Sequence, residues 1–108
     1  MEFSCTGRQS DRGVLLTVAG DVDLAIHTSF QAEAEAWAEK HTDMVVDLSG
    51  VTFMDSMGLR VLVDVMRQVG ATGHDFALRD PSAPVLRLLE LAGAKSLFTV
   101  VGAQRIPA

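Results

Sequence analysis

Asp55 and Ser56 stand side by side where an apolar, strand-like run gives way to a helix-like one, in Phe53-Met54-Asp55-Ser56-Met57-Gly58-Leu59-Arg60-Val61. A serine hydroxyl in the first turn of a helix is a good place for a phosphoryl group. Unpaired backbone amides and the helix macrodipole favour an anion there, so the modification need not unfold anything. The ordinary structural role of such a serine is an N-cap, with its oxygen accepting an amide near Gly58 or Leu59. The two roles are compatible. Asp55 either holds the loop by accepting backbone amides, competes with Ser56 for the cap, or touches a partner. Gly58 either admits a partner's backbone or relieves crowding at a helix start.

Other chemistries find little footing. His27, His41 and His74 lie in different elements, and none has a neighbour at a metal-ligand spacing. Ser56 lacks the Gly-x-Ser-x-Gly elbow of a hydrolase, and no histidine is placed to deprotonate it. The nine glycines form neither a Walker loop nor a Gly-x-Gly-x-x-Gly fingerprint, so their expected work is in turns and helix ends. Asp21 and Asp23, in Gly20-Asp21-Val22-Asp23, are a pair that a cation could use, but two loop carboxylates more often serve as caps or solvated turn residues. The expectation is a non-enzymatic protein with no cofactor and no metal.

The 108 residues, 48% of them apolar, suffice for one domain with one core. The apolar runs Val14 to Val18 and Leu97 to Val101 stop well short of the roughly 20 residues that a membrane span needs. The start of the chain has no basic stretch leading into an apolar one, so no secretory signal is expected. Cys5 is the only cysteine, which fits a reducing cytoplasm and the role of a small hydrophobe. A formal charge of −5 argues against nucleic acid or anionic lipid and points to a protein partner.

Positioning Ser56 requires an α/β scaffold. Phe3 to Thr6 and Val14 to Ala19 read as a β-hairpin around the polar segment Gly7 to Gly13. Ile26, Phe30, Ala34, Trp37 and Ala38 mark one stripe of a helix from Ile26 to Lys40. Met44 to Leu48 reads as a strand buried on both faces, with Gly50 in the turn after it. Leu59, Leu62, Val63, Met66 and Val69 then form a helical stripe, ended by Gly70 and Gly73. On that wheel Met57, Val61, Asp64 and Gln68 face outward with Arg60 beside them, a small patch next to Ser56. Phe76 to Arg79 is a strand, and Asp80-Pro81-Ser82 opens a helix with Val85, Leu88, Leu89 and Ala92 inward and Gly93 at its end. Leu97 to Val101 is a last strand before a frayed, Pro-containing tail. Alternation after the hairpin implies parallel strands with right-handed crossovers, an antiparallel edge and three helices, leaving one sheet face thinly covered.

The stretch Val45 to Leu59 resembles the signature of the STAS domain, in particular that of bacterial anti-sigma factor antagonists. Val18-Ala19-Gly20-Asp21-Val22-Asp23 is similar to that family's Gly-Glu-hydrophobic-Asp loop, and Pro84 to Gly93 to its last helix. The resemblance implies a mixed sheet flanked by helices and makes Ser56 the phosphorylation site of a GHKL-type anti-sigma factor kinase, reversed by a PP2C-type phosphatase. It extends the partner-binding set to Asp21, Asp23, Asp55, Ser56, Met57, Gly58, Arg60, Val61 and Asp64. The chain departs from the pattern at Ile26, where a Thr is usual, and at Met57, where a small residue is usual. The competing expectation is a constitutive STAS subunit of a larger assembly, such as a lipid-transport ATPase accessory or a stress-signalling scaffold, with Ser56 as a cap only. A third expectation, nucleotide binding, lacks a phosphate loop.

Overall fold

Strand order in the single five-stranded sheet follows chain order, β1-β2-β3-β4-β5. A computed structural model of the chain describes residues 2–102. Its elements are β1 (Ser4–Ser10), β2 (Gly13–Val22), α1 (His27–Ala38), β3 (Met44–Met54), α2 (Ser56–Ala71), β4 (Phe76–Arg79), α3 (Ala83–Leu91) and β5 (Thr99–Val101), with single 3-10 turns at Leu24–Ile26 and Lys95–Leu97. β1 pairs antiparallel with β2, and the remaining neighbours pair parallel. The mixed α/β architecture is the expected one. The Pro-containing tail lies outside the described residues.

Strand lengths are where the sequence misled. The polar run after Gly7 is strand, not turn: β1 reaches Ser10, and only Asp11 and Arg12 connect it to Gly13. β1 is an edge strand with mostly exposed residues, so it needs no apolar alternation to pair. Gly50 is likewise inside β3 and opposite Ala19 in β2. A Cβ at Gly50 would sit 3.0 Å from that of Ala19, which is why the extended strand wants no side chain there. Nor is β3 buried on both faces, since Met44, Val46 and Leu48 are buried while Val45 and Asp47 are only half-buried.

That alternation places the core on one side of the sheet. Leu16, Val46 and Leu78 form one cross-strand row, fully buried, and they meet Phe30 and Ala34 of α1, Leu62 and Val65 of α2, and Val85 and Leu89 of α3 in one cluster. Sequential parallel strands joined by crossovers of one hand put every helix on the same face. The opposite face carries the row Thr17, Asp47 and Arg79, where Arg79 Nε stands 3.5 Å from Asp47 Oδ2. The thin cover expected for one face is therefore present, on the side away from the helices.

The α2 wheel turns differently from the expected one. Gly58, Leu59, Val61, Leu62, Val65 and Val69 are its buried residues, while Val63 and Met66 are only partly buried. Val61, 1% exposed, belongs to the core and is no part of an outward patch. Gly70 lies inside α2, and the stop falls at Thr72 and Gly73, whose φ of +81° suits glycine. In α3, Ala92 is exposed and does not join Val85 and Leu89 inside.

Cys5 is half-buried against the core. Burial, and secondarily the nearby Glu33 carboxylate, pushes its thiol up to about 12. It is therefore an unreactive small side chain at neutral pH.

Candidate functional site

The last residues of β2 and β3 are a register pair, Val22 with Met54, and the amide of Asp55 donates to the Val22 carbonyl at 3.2 Å. Asp23 and Asp55 thus leave the sheet as neighbours, at the carboxyl end of two parallel strands. Each then caps the helical turn that it leads into. Asp23 Oδ1 accepts from the amide of Ala25 at 3.0 Å at the start of the 3-10 turn. Asp55 Oδ1 accepts from the amides of Met57 at 3.0 Å and Gly58 at 3.1 Å at the start of α2.

Asp55, then, is the N-cap of α2, and Ser56 is not. Ser56 is the first residue of the helix, exposed, with a hydroxyl that makes no hydrogen bond among the described residues. The capping geometry needs an extended backbone at the cap residue, and Asp55 has it, with φ −101° and ψ −178°. The carboxylate therefore takes the amides that were expected to welcome a phosphate. What remains for an anion on Ser56 is the residue's own backbone amide, the macrodipole and open solvent. Replacing Asp55 with Ala is expected to cost about 1 kcal/mol, the usual worth of an N-cap. Thermal unfolding by circular dichroism, compared with wild type, measures it.

Around this junction the expected partner-binding residues divide. Arg60 is exposed; Asp21, Asp23, Met57 and Asp64 are half-buried at the same end or along α2. Gly58 and Val61 point inward. A Cβ at Gly58 would lie 2.8 Å from Met54 Cγ and 2.9 Å from Val22 Cγ1, so the glycine lets α2 start tight against both strand ends and offers nothing to a partner. Sequence reasoning missed Leu24 and Phe53, which are 71% and 48% exposed beside these carboxylates. Their signal was available: Leu24 directly follows Asp23, and Phe53 stands two residues before Asp55. The helix start at Ile26 carries no side-chain cap, and Asp23 does that work one turn earlier.

Asp21 is held in place by Thr52, whose hydroxyl donates to Asp21 Oδ1 at 2.5 Å across the β2 and β3 pair. That bond is the main reason its carboxyl is held below the ordinary value of 3.8. A depressed folded-state pKa means a contribution to stability that is present above the unfolded pKa and lost as pH falls through the folded one. A carboxyl-detected NMR titration is expected to place the Asp21 midpoint below 3.8. In Thr52→Val the midpoint moves back up.

A family model for the STAS domain matches residues 6–103. This chain belongs to the STAS domain family. As a STAS domain it is 32% identical over 94 residues to an anti-sigma F factor antagonist of Paenibacillus polymyxa, covering 82% of this chain and 79% of the relative. It is 25% identical over 100 residues to the anti-sigma-B factor antagonist of Bacillus subtilis (strain 168), covering 93% and 92%. Its fold is similar to that of SpoIIAA in the unphosphorylated form, with a TM-score of 0.76 at 18% identity over 94% of this STAS domain and 90% of that chain. The phosphorylated form of Bacillus SpoIIAA gives 0.69 at 17% identity over 95% and 94%. No helix among the described residues of this STAS domain is long and apolar enough to cross a membrane.

Proposed function

We propose that this STAS domain is a cytoplasmic anti-sigma factor antagonist that binds a GHKL-type anti-sigma factor kinase while Ser56 is unmodified and releases it once Ser56 is phosphorylated. The observation that carries this reading is the free, exposed hydroxyl of Ser56 on the first turn of α2, left unengaged because Asp55 takes the cap. The similarity to two antagonists, and to a fold solved in a phosphorylated form, supports it.

In the proposed step Ser56 Oγ forms a bond to the γ-phosphorus of ATP as the bond to the bridging oxygen breaks, and ADP leaves. The hydroxyl proton goes to a base on the kinase. The antagonist contributes position only, and a PP2C-type phosphatase resets it by hydrolysis. Bound kinase is withheld from its sigma factor, which is thereby freed.

Mixing the purified chain with the GHKL-type kinase of the same genome and ATP, then mapping the product by peptide mass spectrometry, tests this. Phosphate on Ser56 is the expected outcome. Phosphate at another residue, or none, counts decisively against the reading.

A further inference from the structure

The pairing of β3 with β4 stops at Asp47 and Arg79, so the second half of β3 runs on with no strand on that flank. α3 sits there instead, joined through the Ser82 amide, which donates to the Leu48 carbonyl at 3.3 Å. Between them opens a cleft of about 330 Å³, walled by Phe53 and Met54 from β3 and by Pro84, Arg87, Leu88 and Leu91 from α3. The four α3 residues recur at helical spacing and form a stripe distinct from Val85 and Leu89, which are in the core.

Three features of this cleft point to an occupant. Leu91 is 81% exposed and Phe53 48%, and both line one concavity, unlike the scattered apolar residues of an ordinary surface. Arg87 is exposed and has no ion pair among the described residues, in a chain of net charge −5. Met54 is shared: its side chain walls the cleft and also presses on Gly58 in the first turn of α2, two residues from Ser56. The cleft therefore shares one wall residue with the start of α2, the end of the molecule that carries the phosphoacceptor.

We propose that the cleft seats an aliphatic or aromatic side chain of the anti-sigma factor, with an acidic residue beside it that pairs with Arg87. The inference rests on the partner-binding reading of Ser56. It divides the labour of that surface. A concave apolar seat supplies an anchor, and a rim cation sets approach and register. Ser56 adds the charge-dependent veto. The anchor excludes partners without a large apolar side chain at that place, which is a basis for choosing one kinase among several.

The test is surface plasmon resonance of the whole chain over the immobilised GHKL-type anti-sigma factor of the same genome, with Leu91→Asp, Leu91→Ala, Arg87→Glu and Ser56→Asp run in parallel. Leu91→Asp is expected to weaken binding at least about tenfold, chiefly through faster dissociation, with Leu91→Ala changing in the same direction. Arg87→Glu is expected to slow association, by less as salt is raised. Both sites are exposed, so thermal midpoints stay at the wild-type value. Wild-type affinity in both Leu91 variants, alongside a loss in Ser56→Asp, overturns the cleft and keeps the Ser56 reading. Failure of the wild-type chain to bind the kinase at all overturns both. If sedimentation shows that Leu91→Asp abolishes only self-association, the occupant is a second copy of this chain and the proposal falls.

Discussion

Phosphorylation of Ser56 is expected to weaken the complex with the anti-sigma factor about a hundredfold while the fold stays intact. The modification adds roughly −1.5 to −2 charge at pH 7. It does so beside Asp55, whose carboxylate is already committed to the amides of Met57 and Gly58. With the Met57 and Gly58 amides taken, only the Ser56 amide is left for a dianion with three acceptor oxygens, so a contact that covers Ser56 would bury it largely unpaired, at a cost of several kcal/mol. A loss of about 3 kcal/mol is already about a hundredfold in affinity. Ser56→Asp carries half the charge and is expected to lose about tenfold. Ser56→Ala removes an exposed, unbonded hydroxyl, so it should bind as wild type does and ignore the kinase's ATP. Isothermal titration of the three proteins against the anti-sigma factor gives the affinities. Their thermal midpoints should agree closely, because an exposed substitution with no structural bond changes stability by less than about 0.5 kcal/mol.

Phe30→Ala is expected to rank among the most damaging single truncations of the core, at about 3–5 kcal/mol. Phe30 is fully buried in α1 and meets Phe3 edge to face, with ring centroids 6.0 Å apart at 69°. The substitution opens a cavity where α1 lies on the sheet and also leaves Phe3 without its ring partner. A domain of this size commands about 5–15 kcal/mol in all, so much of the margin disappears. Urea unfolding followed by circular dichroism should show a lower midpoint at unchanged slope. A thermal midpoint at least about 10 °C lower is the matching calorimetric result. An unchanged midpoint would mean that α1 is not held by this residue.

How legible each part was depended on the range of the forces behind it. β4 was readable to the residue, since Phe76 to Arg79 is a short apolar run between a glycine-bearing turn and Pro81. α1 was readable from its run of strong helix formers, on which Phe30, Ala34 and Ala38 fall along one stripe. α2 was legible as a helix with one apolar face, but not to the edges of that face. Leu59, Leu62 and Val69 were legible as inward-facing, as observed, but whether Val61 and Val65 or Val63 and Met66 completed the stripe was not. The observed choice, with Gly58 and Val61 inward, follows from how tightly the helix start is pressed onto Met54 and Val22. The cap was a similar case. Asp and Ser are both good N-caps, and the tie went to Asp55 because its amide is tethered to the Val22 carbonyl, which sets the extended backbone that a cap requires.

Residue types and their spacing were enough to give the order of strands and helices, the mixed sheet with its antiparallel edge, and the Asp55-Ser56 junction at a helix start. These depend on residues within a turn or a strand pair of one another, where composition and spacing act directly. Packing in three dimensions was needed to leave Ser56 with a free hydroxyl, to carry β3 on through Gly50, and to bring Phe53 and Leu91 to the walls of one cleft. Each of those results comes from contact between segments distant in the chain: β2 against β3, α2 against both strand ends, and α3 along the flank that β4 leaves open. Side-chain volume and backbone hydrogen bonding at such contacts are set by the neighbour across the gap, and that neighbour is known only once the chain has folded.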